Sequence, residues 1–261
     1  MPKPRSAKPS KAHSTASTPT KAVTLPDWPQ FKPPLPVVEL TPELHPATSK
    51  IATIASFFPK SLCRDYVTFF KTLPLQTTPG KPKRGEAVRV NDRFQVDDAV
   101  FANRLWESTG LKEALTENED VRNLWGGQPV GLNPNIRVYR YSKGQYFDCH
   151  LSCRIFASPL AHAGAADDDS NNLTLATTPP TPVRTTWTLL LYLTSSAEGC
   201  VGGETVFYPN DRKLPSEEIA VSLETGTLLL HKHGDDCLLH EGREVKSGEK
   251  WVLRTDLCVQ R

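Results

Sequence analysis

The residues whose types and spacing suggest chemistry lie near the end of the chain, where a histidine precedes a lysine. His240 stands ten positions before Lys250, and Gly242 and Gly248 bracket a turn between them. The alternating run after Lys250 (WVLRT) predicts that the chain leaves this turn as a strand. An imidazole can bind a metal ion, and an ammonium can bind a carboxylate. We therefore predict that His240 and Lys250 come from neighbouring strands and face the same cavity.

Three further motifs precede this pair in a specific order. Residues 141–150 read YSKGQYFDCH, residues 187–193 read WTLLLYL, and residues 202–207 read GGETVF. Together with the spacing from His240 to Lys250, these motifs resemble those of the Fe(II)/2-oxoglutarate dioxygenases. Within that family the resemblance is to the prolyl 4-hydroxylase-like catalytic domain, and it covers roughly residues 45–258.

The resemblance implies roles for five residues in one active site. Ferrous iron that activates oxygen takes two imidazoles and one carboxylate on one octahedral face, and His150 and His240 are the implied imidazoles. Lys250 would pair with the distal carboxylate of 2-oxoglutarate through a charge-assisted bond. Tyr141 and Thr188 are the implied hydroxyl partners in that pocket. The implied cofactors are Fe(II), 2-oxoglutarate as cosubstrate and L-ascorbate as the reductant that keeps iron ferrous.

The third iron ligand is where the chain departs from the family pattern. That pattern places an acid two residues after the first histidine, but this position is Ser152. The next acids form the run at 167–169, and we predict Asp168 as the ligand. The intervening residues (LSCRIFASPLAHAGAA) lack strand alternation, so we interpret 151–167 as an insertion that separates His150 from its carboxylate.

Three explanations of the 151–167 stretch stay open. It is a short unspliced intron translated in frame, a genuine loop that returns Asp168 to the metal, or the sign of a lost carboxylate. Related halogenases show the last case, in which a halide takes the vacant place, but Ser152 is not the Gly or Ala expected there. A zinc site at Cys149, Cys153 and His162 has no standard ligand spacing, so we discount it.

The order of predicted elements indicates an α+β fold, a double-stranded β-helix or jelly roll flanked by N-terminal helices. Apolar residues at 62, 66, 69 and 73 predict a helix that opens near Pro59. Two more helices are predicted from near Asp97 and over 111–125, and short strands with glycine-rich turns follow from residue 135. Helices followed by many short strands are typical of a helix-flanked jelly roll.

Composition divides the chain into a tail and a domain. Residues 1–36 are rich in Pro, Ser, Thr and Lys, so we predict a disordered basic tail, and we assign 37–261 to the dioxygenase domain. The net charge of +2 is too small to indicate a nucleic-acid partner, and no apolar run approaches the ~18 residues of a membrane span. No signal peptide is recognisable, so we predict a cytoplasmic or nuclear protein whose six cysteines are free thiols.

The resemblance predicts an enzyme that couples oxidative decarboxylation of 2-oxoglutarate to hydroxylation of an unidentified substrate. A protein prolyl or other side chain is the first expectation, and a small molecule follows closely. One alternative is a non-catalytic binding module of the same fold, with an iron site broken by the 151–167 insertion. A second is a cupin-like metal protein of other chemistry, but such a protein has no need of Lys250 as a clamp for a diacid. His231 and His233 are interpreted as histidines without a role.

Overall fold

The computed structural model describes residues 25–78, 87–151, 173–175 and 181–261 of the 261 in the chain. Asp168 and all of the predicted insertion except Leu151 lie outside the described residues, as do residues 1–24. The helices are α1 (Lys60–Phe70), α2 (Ala99–Glu107) and α3 (Leu111–Thr116), with a short 3₁₀ turn at Ser196–Glu198. The strands are β1 (Pro42–Leu44), β2 (Ile51–Ile54), β3 (Gln76–Thr77), β4 (Arg89–Val90), β5 (Asp92–Asp97), β6 (Pro129–Leu132), β7 (Asn135–Ser142), β8 (Tyr146–His150), β9 (Leu173–Leu175), β10 (Thr181–Tyr192), β11 (Val201–Gly202), β12 (Thr205–Tyr208), β13 (Ile219–Val221), β14 (Leu228–Lys232), β15 (Leu239–Gly242), β16 (Val245–Ser247) and β17 (Glu249–Gln260).

The described strands form two main antiparallel sheets. The larger sheet has the order β1-β2-β14-β10-β17-β7-β5-β3, with β6 paired to β17 and β9 to β10, and the smaller has the order β13-β12-β15-β8-β4. The chain alternates between them, since β7, β10, β14 and β17 lie in the larger sheet and β8, β12 and β15 lie in the smaller. This alternation defines a jelly roll, so the predicted fold class is confirmed.

Both faces of the larger sheet are buried, which explains its continuous apolar strands. In β14, Leu228 and Leu230 pack into the core beneath the helices, whereas Leu229 packs into the core shared with the smaller sheet. In β17, Leu253 and Val252 divide between the same two cores. Because successive strand side chains point to opposite faces, the second core is where residues of the larger sheet can face β8 and β15.

Helices α1 and α2 begin close to the predicted positions. Pro59 is the residue before α1, and Leu62, Tyr66 and Phe70 form its buried face. The helix ends three residues before the predicted Leu73, which still packs against the core as a partly buried side chain. Helix α2 follows its cap at Asp98 and buries Phe101 and Leu105, as predicted.

The prediction of one helix over 111–125 is wrong beyond its first two turns. Helix α3 ends at Thr116, and turns occupy the residues that follow it. The indole of Trp125 is fully buried and donates a hydrogen bond of 2.8 Å to the carbonyl oxygen of Leu115. The chain must turn back to bring Trp125 to that carbonyl, because a continuous helix would carry it three turns away.

The predicted boundary of the tail at residue 36 is also wrong. Residues 25–36 are described, and Trp28 among them is 5% exposed. Its ring stacks on Phe101 at a centroid distance of 4.0 Å, and its Nε1–H donates to Asp98 at 2.7 Å. Burial of the Trp28 indole stabilises the docking of this segment on the domain. The polar composition of the tail did not predict this contact.

Asp98 links this segment to α2, which leads to a stability prediction. Its carboxylate accepts from the Trp28 indole and from the backbone N–H of Phe101 at 2.9 Å. Replacing Asp98 with alanine removes the helix cap and leaves a buried indole N–H without an acceptor, so we expect a loss of about 3 kcal/mol of unfolding free energy. Asp97→Ala, at an exposed neighbour, is the control for urea denaturation. Equal losses in the two variants would contradict this account.

Two further predictions, on the cysteines and on membrane spans, can be compared with the described residues. Cys63, Cys149, Cys200 and Cys258 are free thiols, but Cys237 is disulfide-bonded, so the prediction of six free thiols is wrong at that position. Within the described ranges, the helices are all too short or too polar to span a bilayer.

Candidate active site

Strands β8 and β15 bring the two predicted metal-binding histidines together. His150 and His240 are directly paired across these antiparallel strands. Paired residues point to the same face of a sheet, and the two ring centroids are 4.3 Å apart. The register therefore joins two imidazoles that are ninety positions apart in the sequence.

Each imidazole is anchored in the same way by its own strand. His150 Nδ1 donates to the carbonyl oxygen of Asp148 at 2.8 Å, and His240 Nδ1 donates to that of Leu238 at 2.8 Å. A carbonyl oxygen only accepts, so each Nδ1 carries the proton and each Nε2 keeps its lone pair. A hydrogen bond from the other ring nitrogen to a carbonyl oxygen fixes the tautomer and the ring orientation in which a histidine binds a metal ion.

Burial keeps both rings neutral. It lowers the pKa of His240 to about 4. Burial and then the neighbouring His240 hold the pKa of His150 well below its ordinary value. A neutral imidazole is the form that binds metal ions, so at neutral pH no proton has to leave either ring.

The described residues supply two ligands of the predicted three. Within those ranges, no group of three or more His, Cys, Asp or Glu side chains is placed to hold a metal ion. The predicted third ligand, Asp168, lies outside the described residues. The pair His150 and His240 fits a divalent transition metal through its two Nε2 atoms and leaves the carboxylate to come from elsewhere.

Lys250 faces the same cavity from the opposite sheet. It is 5% exposed, and its Nζ donates to the carbonyl oxygen of Gly203 at 2.7 Å. The Nζ also lies 5.5 Å from the ring centroids of Tyr141 and Tyr192. In the described part of the chain Lys250 forms no ion pair, and burial lowers its pKa to about 8. An anion beside Nζ would offset the cost of burying this charge.

Gly203 is required where it stands beside Lys250. Its φ of +79° is a conformation that side chains disfavour. A Cβ at this position would also lie 3.3 Å from Lys250 Cδ and 3.1 Å from Val245 Cγ2. The second glycine of the GGETVF motif therefore lets the backbone carbonyl approach the ammonium.

The other two predicted pocket residues lie at different ends of the cavity. Tyr141 is paired with Lys250 across β7 and β17, so its ring lies beside the ammonium. Thr188 also lines the cavity, but its Oγ1 donates to Asp256 at 3.2 Å and lies 3.1 Å from His233 Nδ1. His150, His240, Lys250, Tyr141 and Thr188 thus share one cavity of about 60 Å³.

The placement of His240 and Lys250 corrects one detail of the sequence interpretation. They face the same cavity, as predicted, but β15 and β17 belong to facing sheets and are not paired neighbours. The chain crosses from one sheet to the other in the turn between them. A cavity lined from two sheets can hold a ligand between an imidazole wall and a cationic wall.

Several lining residues were missed by sequence reasoning. Arg254 lies on the same face of β17 as Lys250, because residues two and four apart in a strand share a face. That alternation was visible in the sequence and could have identified it. His231, interpreted as having no role, is 3% exposed and lines the cavity. Arg89 lies over the rings of Tyr139 and Phe147, at 4.3 and 4.5 Å.

Comparisons with known proteins agree with this geometry at the level of the fold. No family model and no curated protein sequence matches the chain. A 2OG-Fe(II) oxygenase family oxidoreductase from Burkholderia pseudomallei is similar in structure, with a TM-score of 0.50 and 13% identity over 81% of this chain and 86% of that one.

A second solved structure is similar to the same extent. It is a prolyl hydroxylase from Trichoplax adhaerens in complex with a hypoxia inducible factor oxygen degradation domain peptide fragment. Its TM-score is 0.50, with 14% identity over 81% of this chain and 84% of that one. The chain therefore has the fold of the prolyl hydroxylase-like 2-oxoglutarate oxygenases.

Proposed function

We propose that this protein is an Fe(II)- and 2-oxoglutarate-dependent dioxygenase that hydroxylates its substrate. The observation that carries the proposal is one cavity between two sheets with an anchored imidazole pair on one wall and a buried lysine on the other. His150 and His240 present Nε2 lone pairs, and Lys250 presents an ammonium without a described carboxylate partner. A metal ion and a dianion are the ligands that complement these two walls.

In this proposal His150, His240 and Asp168 hold the iron. The bound iron supplies the activation of oxygen, with 2-oxoglutarate as the two-electron reductant. One oxygen atom of O₂ enters the substrate C–H bond as a hydroxyl group, and the other enters succinate as CO₂ is released. L-ascorbate, when present, keeps the iron ferrous between turnovers.

The chain's own residues bind and orient the cosubstrate. Lys250 and Tyr141 hold the distal carboxylate, because both lie at one end of the cavity. Thr188 is proposed to contact the end of the cosubstrate that lies nearer the imidazoles. The cavity holds roughly five water molecules, so a 2-oxo diacid requires a side chain to move. Phe147 is the candidate, since its ring stacks on His150 at a centroid distance of 3.7 Å.

The proposed domain boundaries are the predicted ones, except that the tail is shorter. The catalytic domain is proposed to begin ahead of Trp28 rather than at residue 37, and 151–167 is proposed as an insertion within it. The substrate is proposed to be a protein prolyl or other side chain, or a small molecule. A cytoplasmic or nuclear location stays a prediction.

Anaerobic titration of the full chain with Fe(II) and 2-oxoglutarate tests the proposal. A 2-oxo acid chelated to ferrous iron gives a visible charge-transfer band, and we expect it to saturate at one iron per chain. No band from a folded protein would contradict the proposal and would support a non-catalytic binding module. A variant lacking residues 151–167 is the companion sample. Recovery of the band only in that variant would locate the fault in the insertion.

The lowered pKa of Lys250 makes cosubstrate affinity depend on pH. Only the protonated ammonium pairs with a carboxylate, and in the empty pocket its pKa is about 8. Affinity for 2-oxoglutarate is therefore expected to be constant below pH 8 and to fall up to tenfold per pH unit above it. Calorimetric titration of the Zn(II)-loaded protein from pH 7 to 9.5 measures this. The affinity of Lys250→Met for 2-oxoglutarate is expected to be weak and independent of pH over that range. A fall in the variant's affinity parallel to that of the wild type would contradict the assignment of Lys250 to the carboxylate.

A further inference from the structure

His231 lies at the end of the cavity where the larger sheet faces the two predicted metal ligands. It is paired with Thr188 across β10 and β14, so these two side chains share one face of the sheet. Its side chain is buried and lines the cavity, and its ring centroid is 4.8 Å from that of His240 in the facing sheet. His231 therefore stands beside the imidazole pair but approaches it from the opposite wall.

The ring of His231 has no hydrogen-bond partner in the described part of the chain. Its described contacts are with other rings, which are those of His240 and of Phe207 at a centroid distance of 5.3 Å. Buried polar side chains are nearly always hydrogen-bonded, so an unbonded imidazole at a cavity wall is suited to bond a ligand. Within the described ranges the three histidines are not placed to hold one metal ion together, which leaves this ring to an organic ligand.

The neighbouring hydroxyl of Thr188 is already bonded to protein groups. Its Oγ1 donates to Asp256 Oδ1 at 3.2 Å and lies 3.1 Å from His233 Nδ1. A hydroxyl has one hydrogen to donate, so this oxygen offers an incoming ligand only a lone pair. A carboxylate accepts hydrogen bonds and donates none, whereas an imidazole presents an N–H in either protonation state. Of the two paired side chains, His231 is thus the one that can donate to a carboxylate.

Lys250 reaches the cavity from its other end. It lies six residues before Asp256 in β17, and Asp256 is in register with Thr188. Six residues of strand separate the two backbone positions by about 20 Å. Two donors at opposite ends of one cavity match the two carboxylates of a diacid.

We propose that His231 binds the inner end of the cosubstrate, donating its ring N–H to the carboxylate that adjoins the 2-oxo group. This inference rests on the proposed function and adds to it a residue that determines specificity for 2-oxo acids. Lys250 holds the distal carboxylate, and His231 orients the inner end toward His150 and His240.

Calorimetric titration of 2-oxoglutarate into the Zn(II)-loaded full chain tests the donated hydrogen bond. His231→Leu is expected to weaken binding about tenfold, because the lost bond is to a charged group. His231→Gln and His231→Asn place an amide N–H near the positions of Nε2 and Nδ1, and one of them is expected to restore affinity to within about threefold of the wild type. If neither restores it, packing rather than donation explains the loss and the proposal falls. His45→Leu, at a half-buried histidine outside the cavity, is the control.

Pyruvate identifies the end of the cosubstrate that His231 contacts, because it is a 2-oxo acid without a distal carboxylate. NMR of its methyl signal follows its binding to the same loaded protein. His231→Leu is expected to weaken pyruvate about tenfold, whereas Lys250→Met is expected to leave its affinity within about threefold of the wild type. Full pyruvate affinity in His231→Leu would overturn the assignment to the inner end.

Titration with Co(II) separates this role from metal binding. His231→Leu is expected to keep the wild-type affinity and visible spectrum, and a change in both would make His231 a metal ligand and overturn the proposal. If the wild-type chain binds no 2-oxoglutarate, the proposed function and this inference fail together. If the wild type binds it and His231→Leu binds it equally well, this inference alone fails. Should His231→Leu not fold, His231→Phe takes its place, since the Phe207 ring already packs against this position.

Discussion

Replacing Lys250 with methionine is expected to weaken 2-oxoglutarate binding at least about 100-fold. The ammonium is buried beside two tyrosine rings and has one backbone carbonyl as its described hydrogen-bond partner. A distal carboxylate would form a charge-assisted pair in a buried site, where removal of one partner leaves the other charge buried and unpaired. Methionine keeps the length and apolar stem of lysine, so the loss measures the charge.

Calorimetric titration of 2-oxoglutarate into the Zn(II)-loaded protein measures this effect. Lys246→Met is the matched control, because Lys246 is an exposed lysine on β16, four residues earlier. The affinity of Lys246→Met for 2-oxoglutarate is expected to equal that of the wild type. The Lys250→Met protein itself is expected to unfold no more easily than the wild type, since the substitution removes a buried charge. Full retention of affinity in Lys250→Met would place the distal carboxylate elsewhere in the cavity.

Replacing His240 with alanine is expected to lower the affinity for a divalent transition metal at least about 100-fold. Loss of only the hydrogen-bond partner of a metal ligand lowers metal affinity about 10–100-fold, so loss of one of the two described ligands is expected to lower it by at least the upper value. The imidazole is neutral and anchored through Nδ1, so the wild-type site requires no rearrangement of this ring. Removal of the side chain leaves the partner His150 as a single donor from the described residues.

Titration with Co(II) tests this, because its visible spectrum reports the coordination of the metal as well as its affinity. His233→Ala is the control, since His233 bonds Thr185 and Thr188 at the end of β14 and does not line the cavity. His240→Gln is a second variant if the alanine cavity destabilises the fold. Equal Co(II) affinity in His240→Ala and the wild type would show that the metal binds away from this pair.

Local patterns in the sequence predicted the starts of α1 and α2 and the longest of the strands that follow them. The apolar run of β10 and the alternation of β7 and β17 predicted their positions to within a few residues. This works because the period at which side chains alternate along a strand depends only on the local backbone geometry. The motif spacing also selected the residues that share the cavity. His150, His240 and Lys250 were chosen from sequence, and all three line it.

Only the tertiary structure decided which distant residues meet. The β8–β15 register pairs His150 with His240, and the facing sheets place Lys250 opposite them. The β10 pairings bring His231 and Asp256 to either side of Thr188, and Trp28 joins the core through a contact with Asp98. Such contacts depend on strand order and on packing between segments far apart in the chain. Composition and periodicity report only on neighbours along the chain, so they could not reveal these contacts.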